Sequence, residues 1–140
     1  MPLQTVIDLH THILPEMDDG SESVDMTIAM LRKMSEMGVD VVCATSHYYA
    51  TQNDTATYCA RRGRALETLE NILHEDDTLP KILPAAEVAY FRHMEAHHLE
   101  RLCIEGTRTL MLEMPFSEWT DQQVEAVTAM SLDLHYQVVL

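Results

Sequence analysis

Basic residues are scarce in this chain. Its 140 residues hold 9 Lys+Arg against 23 Asp+Glu, a formal net charge of −14 at pH 7. A balance of that sign, without any Lys/Arg-rich run, excludes general binding to nucleic acid or to anionic membrane surfaces. Long apolar runs are missing too, and none approaches the roughly 20 residues of a membrane span. Residues 1–8 carry no basic patch followed by an apolar region, so no secretory leader is expected. Three cysteines (Cys43, Cys59 and Cys103), odd in number and widely spaced, read as reduced thiols of a cytoplasmic protein. Neither a Gly-rich nucleotide loop nor a Gly-x-Ser-x-Gly elbow occurs. What the chain does have is 46% apolar residues, enough to fill one core at this length.

Those apolar residues fall into short β-branched runs alternating with longer amphipathic stretches. Strands are expected over residues 5–9, 39–45, 81–86, 109–112 and 137–140, with Pro84 weakening the third. Helices are expected over 23–37, closed by Gly38, and over 57–73, ended by the Asp76 to Pro80 breaker. A shorter helix is expected over about 91–102, and a last one from the Thr120/Gln123 capping box to about Leu132. The order β-α-β-α implies parallel strands, hence an α/β barrel or an open doubly wound sheet. Met26, Met30, Met34 and Met37, at helical spacing, read as core filling.

Chemistry concentrates at the ends of these strands. The first runs into Asp8-Leu-His-Thr-His12, the second into Ser46-His47, the third into Glu87 and the fourth into Glu113. In parallel α/β folds the C-terminal strand ends gather on one face, so His10, His12, His47, Glu87 and Glu113 are expected to converge. Two histidines in an extended segment, two residues apart, point their rings to the same side. Imidazole and carboxylate donors without thiolates suit Mn²⁺, Fe²⁺ or Zn²⁺ rather than a closed structural zinc site. Met17-Asp-Asp-Gly20 is either an acidic turn or a place where one aspartate, Asp18 or Asp19, bends back towards metal. Asp8 is a candidate acceptor for a ligand histidine.

Other constellations read as structural. Cys59-Ala-Arg-Arg-Gly-Arg64 places its arginine one residue too early for a cysteine-phosphatase loop, and on a helix rather than after a strand. His93, His97 and His98 read as a solvated helix face. Arg61, Arg62 and Arg64 read the same way, an anion-attracting role being the alternative.

The run Ile7-Asp-Leu-His-Thr-His-Ile-Leu-Pro-Glu-Met-Asp-Asp-Gly20, with Ala44-Thr-Ser-His47, Ala86-Glu87 and Leu112-Glu113, resembles the polymerase-and-histidinol-phosphatase (PHP) superfamily. Within it the chain is most similar to the manganese-dependent bacterial protein-tyrosine phosphatases of capsule and exopolysaccharide loci. The resemblance implies a distorted TIM-like α/β barrel holding up to three ions, manganese first, with iron or zinc as alternatives. It implies His10, His12, Asp19, His47, Glu87 and Glu113 as ligands, choosing Asp19 over Asp18. It also implies hydrolysis of phosphotyrosine by metal-activated water, on a protein such as a bacterial tyrosine autokinase. A small-molecule phosphoesterase of the histidinol-phosphate type and a non-catalytic metal- or partner-binding remnant are the alternative readings. The family pattern carries a further His, a nearby Arg and a late Asp-x-His beyond the position of Leu140, and His135 precedes the last strand and does not replace them. Residues 1–140 are therefore expected to be the N-terminal part of one domain. An open strand edge at Val138-Val139-Leu140 would pair with further sequence or with a second copy in a homo-oligomer.

Overall fold

The alternation of short apolar runs and amphipathic stretches becomes seven strands and three helices in a computed structural model that describes residues 4–140. In chain order they are β1 (Ile7–Thr11), α1 (Val24–Glu36), β2 (Val41–Ala44), β3 (His47–Tyr48), α2 (Thr55–Glu75), β4 (Lys81–Pro84), β5 (Glu87–Ala89), β6 (Thr109–Glu113), α3 (Asp121–Leu132) and β7 (Gln137–Val139). The segment read as a helix over about 91–102 is two 3-10 turns, Met94–Ala96 and Glu100–Leu102. His93, at φ 61°, starts the first in a left-handed conformation, and His97 ends it extended, so no α-helical register is carried through.

All strand pairs are parallel, as the element order required. They form two sheets: β1-β2-β4, and β3-β5-β6-β7. The chain passes from the first sheet to the second twice, through residues 45–46 and through residues 85–86. The runs expected over 39–45 and 81–86 each form one strand, β2 and β4, and each is followed directly by a short strand that was not expected, β3 and β5. Counted across both sheets, the order is β1, β2/β3, β4/β5, β6, β7, which is the order along the chain. The described strands do not close into a ring.

Breaking a sheet exposes backbone carbonyls that must find donors. Ser46 O takes the Glu87 N–H at 3.0 Å, and helix α2 supplies the further donors. The Tyr58 hydroxyl donates to Ser46 O at 2.8 Å and lies 3.3 Å from Ala85 O. One O–H carries one proton, and Arg62 Nη1 serves Ala85 O at 2.7 Å. Tyr58 is fully buried, and that burial holds its phenol protonated, far above the usual range. Arg62 also reaches Arg101 O at 3.1 Å, so it is not the solvated face residue its position suggested.

The core lies between the helices and the sheets and includes Ile13, Leu14, Leu31, Val42, Leu69, Val88, Leu110, Leu112 and Met130. Met30 and Met34 pack against it, whereas Met26 and Met37 are 42% and 72% exposed and fill no core. Helix α1 is capped by the Ser23 side chain, which accepts from Met26 N, and the chain turns off it through Gly38 at φ 83°. Thr120 and Gln123 complete the expected capping box on α3. No described helix is long and apolar enough to cross a membrane. The three cysteines are free thiols.

Tyr58→Phe keeps the ring and removes the donor at the sheet break. A loss of about 1 kcal/mol is expected, read as a lower urea midpoint with unchanged slope. An unchanged midpoint would show that the hydroxyl holds nothing together.

Candidate metal centre

Five of the six candidate ligands lie in or beside a strand, and Asp19 comes from the turn after β1. His10 lies within β1 and His12 just past it. The Thr11–Thr45 pair locks that end: Thr11 N donates to Thr45 Oγ1 at 2.9 Å, and Thr45 N to Thr11 O at 2.9 Å. His47 and Glu87 are the first residues of β3 and β5, directly after the two breaks, and stand opposite each other in register. Glu113 ends β6 opposite Ala89, two residues further along, so it shares the face of Glu87.

The side chains converge on one carboxylate oxygen. Glu87 Oε2 lies 3.2 Å from His10 Nε2, 3.1 Å from His12 Nε2 and 3.3 Å from His47 Nδ1. Glu113 Oε2 is 3.6 Å from that same His47 nitrogen, and Asp19 Oδ1 is 3.4 Å from His47 Nε2. His10 and His12, two residues apart, bring their Nε2 atoms within 3.2 Å, the same-side geometry expected of them. The structure thus brings together all six residues named from the sequence.

Asp18 has a different setting from Asp19. Its Oδ2 accepts from His12 Nδ1 at 2.8 Å and from the His47 backbone N–H at 2.9 Å, while Oδ1 accepts from Gly20 N at 3.0 Å. Burial pushes the Asp18 carboxyl up, but the bonds from His12, His47 and Gly20 outweigh it and hold the pKa below its ordinary value. With Nδ1–H given to Asp18, the His12 tautomer leaves Nε2 with a lone pair aimed at Glu87. The Asp19 side chain, 81% exposed, stands at the mouth of the site. Asp8, the acceptor suggested by proximity, instead takes the backbone N–H of His10 at 3.0 Å, so the orienting role belongs to Asp18.

Gly20 is needed for contact rather than for φ. A Cβ there would lie 2.2 Å from His12 O and 2.4 Å from His12 Cβ. The Asp-Asp-Gly turn therefore folds directly onto His12, fastened by Ser21 N to His12 O at 3.0 Å. Its glycine was legible as a turn signal; its closeness to a histidine was not.

The donor set fits divalent cations. His47 Nδ1 and Glu87 Oε2 are buried with no hydrogen-bond partner, close to each other but not aligned to bond. Orphans of this kind are costly unless a cation satisfies both. Three overlapping groups have donors near enough to share an ion: His12, Asp18, Asp19 and His47; His10, His12 and Glu87; His47, Glu87 and Glu113. Asp18 enters the first by distance, although both its oxygens are already accepting hydrogen bonds.

Beside the cluster, Tyr49 stacks on His47, with ring centroids 5.3 Å apart and planes at 20°. Burial first, then the carboxylates of Glu113, Asp19, Glu87 and Asp18, push its phenol above the usual range. The histidines His93, His97 and His98 take no part in these groups.

Comparison with known proteins supplies a context for this geometry. The family description "Capsular polysaccharide synthesis, CpsB/CapC" matches residues 6–140. A tyrosine-protein phosphatase, YwqE of Bacillus subtilis, is 31% identical over 115 residues, covering 79% of this chain and 44% of its own. The tyrosine-protein phosphatase CpsB of Streptococcus agalactiae is 26% identical over 76 residues, covering 54% of this chain and 26% of its own. A solved structure from a study of YwqE from Bacillus subtilis and CpsB from Streptococcus pneumoniae, described as unique metal-dependent tyrosine phosphatases, superposes with a TM-score of 0.77. It is 26% identical and covers 95% of this chain and 53% of that one. The chain thus spans about half the length of the relatives it matches.

Asp18→Asn would turn an amide NH₂ towards at least one of three N–H donors. A fall of about 10- to 100-fold in Mn²⁺ affinity, measured by isothermal titration, is expected from losing the His12 orientation. Unchanged affinity would remove Asp18 from the site's support.

Proposed function

The chain belongs to the CpsB/CapC family of capsular polysaccharide synthesis proteins, and on that premise we propose that it serves a metal-dependent protein-tyrosine phosphatase. The carrying observation is Glu87 Oε2, buried, without a hydrogen bond, and ringed by nitrogens of His10, His12 and His47 at 3.1–3.3 Å. We propose His10, His12, Asp19, His47, Glu87 and Glu113 as the ligands contributed by this chain, with Glu87 shared between ions. Manganese is the proposed metal; the oxygen-and-nitrogen donor set also accommodates iron or zinc.

Ions bound here would supply Lewis acidity and an activated water for hydrolysis of a phosphate monoester. The protein's own contribution is positional. Asp18 fixes the His12 ring, Gly20 lets the turn approach it, and Tyr58 and Arg62 hold the breaks that present His47 and Glu87. Cys59 plays no part: it sits on α2 with its thiol against Arg101 O, far in sequence and role from any strand end.

The consecutive strand order supports a reading as one wall of a distorted TIM-like barrel, with β1 and β7 outermost among the described strands. Residues 1–140 are proposed as the N-terminal part of a single PHP-type domain, consistent with coverage of 53% of the solved relative. The proposed substrate is a phosphotyrosine protein of capsule or exopolysaccharide synthesis, a bacterial tyrosine kinase being the proposed partner. A cytoplasmic location agrees with three free thiols. The outer edges of β1 and β7 would pair with further strands of the domain or with a second copy.

Hydrolysis of a phosphotyrosine peptide by the Mn²⁺-loaded protein is expected to disappear with chelator and return with added Mn²⁺. It should fall at least about 100-fold in Glu87→Gln, through loss of the shared carboxylate, and stay unchanged in Cys59→Ser. Activity that survives metal removal, or that depends on Cys59, would overturn the proposal. Preference for histidinol phosphate would replace the substrate, and metal binding without turnover of either compound would point to a non-catalytic role.

A further inference from the structure

A cavity of about 270 Å³ opens directly against the cluster. It shares Asp18, Asp19 and His47 with the candidate metal groups, and its remaining wall includes Tyr49, Gln52, Asn53 and Arg61. We propose that this cavity is the substrate-recognition pocket, in which Arg61 binds phosphoryl oxygen turned away from the metals and Tyr49 carries the aryl group of the ester. The inference rests on the phosphatase reading and adds to it the residues that select the substrate.

Arg61 is placed for that task by α2. It follows Tyr58 by three residues and Arg62 follows it by one, so a 100° step per residue sends the two arginines in different directions. Arg62 turns into the sheet break, where Ala85 O and Arg101 O occupy it. Arg61 turns to the cavity, where Nη2 donates to Met17 O at 3.1 Å. Among the described residues no carboxylate lies within 4.0 Å of Arg61, despite the acidic surroundings. A guanidinium has five N–H donors. Held at one corner and unpaired with any acid, it keeps the rest of its fork for an anion, the geometry in which arginine binds phosphate best. The sign matters in a chain of net charge −14. A dianionic ester approaching Asp18, Asp19, Glu87 and Glu113 meets repulsion everywhere except at bound cations and at Arg61.

Tyr49 offers what a phosphate alone does not need. Its ring is fixed by stacking on His47, so the ring lies beside the centre to which phosphoryl oxygen would bind. An aromatic surface held at that place favours an ester whose leaving group is itself aromatic, because offset or edge-on ring pairs gain beyond simple burial. The amides of Gln52 and Asn53 complete a polar wall suited to a peptide backbone.

The test measures binding rather than turnover, using two phosphonates that cannot be hydrolysed, methylphosphonate and phenylphosphonate, on the Mn²⁺-loaded protein. Arg61→Met should weaken both by about tenfold or more, the worth of charge-assisted hydrogen bonds. Mn²⁺ affinity should remain that of the parent. Tyr49→Leu should weaken phenylphosphonate by about two- to tenfold and leave methylphosphonate unaffected. Arg61→Lys should recover part of the loss, since charge returns without the fork. The proposal fails if Arg61→Met binds both phosphonates as the parent does. It fails also if Mn²⁺ affinity drops in parallel, which would make Arg61 only a tether for Met17, or if Tyr49→Leu weakens both ligands alike. Parent protein that binds neither phosphonate overturns it outright. Correct binding results without hydrolysis of phosphotyrosine would instead remove the phosphatase reading and leave the pocket.

Discussion

Two interruptions in a parallel sheet govern the rest of this structure. At residues 45–46 and 85–86 the chain leaves one sheet and enters another. A flat continuation would keep His47 and Glu87 in line with the strands that precede them. The break lets both start new strands side by side, in register, with Glu113 on the same face one step further. Such a bend interrupts the backbone ladder in a buried place, which is costly unless donors are provided; Ser46 O keeps the Glu87 N–H at 3.0 Å, and side chains supply the rest. Tyr58 and Arg62, four residues apart on one helix face, provide them. The helix between the second and third runs therefore does more than connect them. It makes the bend tolerable, and the bend makes the cluster.

The cluster carries its own constraint, since carboxylates crowd where solvent is partly excluded. Glu87 and Asp18 expose little of their side chains, 10% and 7%, and their neighbours are histidines rather than lysines or arginines. Asp18 resolves its charge locally by accepting three hydrogen bonds, and its depressed pKa records that. Glu87 has no such bonds at Oε2 and resolves nothing without a cation. Two buried carboxylates in one site thus divide, by their partners alone, into one satisfied by hydrogen bonds and one left open for a cation.

Much of this was legible in the residues, for a definable reason. Ligand-type side chains at strand ends are local features, and the parallel topology that gathers them follows from element order. The same was true of the Thr120 capping box, whose two hydrogen bonds lie within four residues. The second strand after each break was not legible, because His47-Tyr48 and Glu87-Val-Ala89 are too short to carry a pattern and only long-range pairing shows them as strands. Arg61 and Arg62 looked alike on the page because a run of arginines carries no information about which neighbours each one meets. Met26 and Met37 kept a helical spacing with the half-buried Met30 and Met34 yet are themselves exposed, near the two ends of α1. The 91–102 segment had helical composition, but His93 at positive φ breaks its register before a full turn forms.

The three residues Asp18-Asp19-Gly20 show most sharply how adjacent positions of similar chemistry acquire different work. The turn folds back because Gly20 can press against His12 where any side chain would collide. That contact brings Asp18, two positions earlier, under the ring and against the His47 N–H, so one carboxylate ties the first strand end to the second. Asp19 is then forced outward, to the boundary between the cluster and the cavity that Tyr49 and Arg61 line. From there it faces His47 on one side and open solvent on the other. Composition could not distinguish the two aspartates, and the resemblance chose between them without giving a cause. The cause is the glycine: its missing Cβ sets the depth of the turn, and that depth decides which carboxylate supports a histidine and which remains at the mouth of the site.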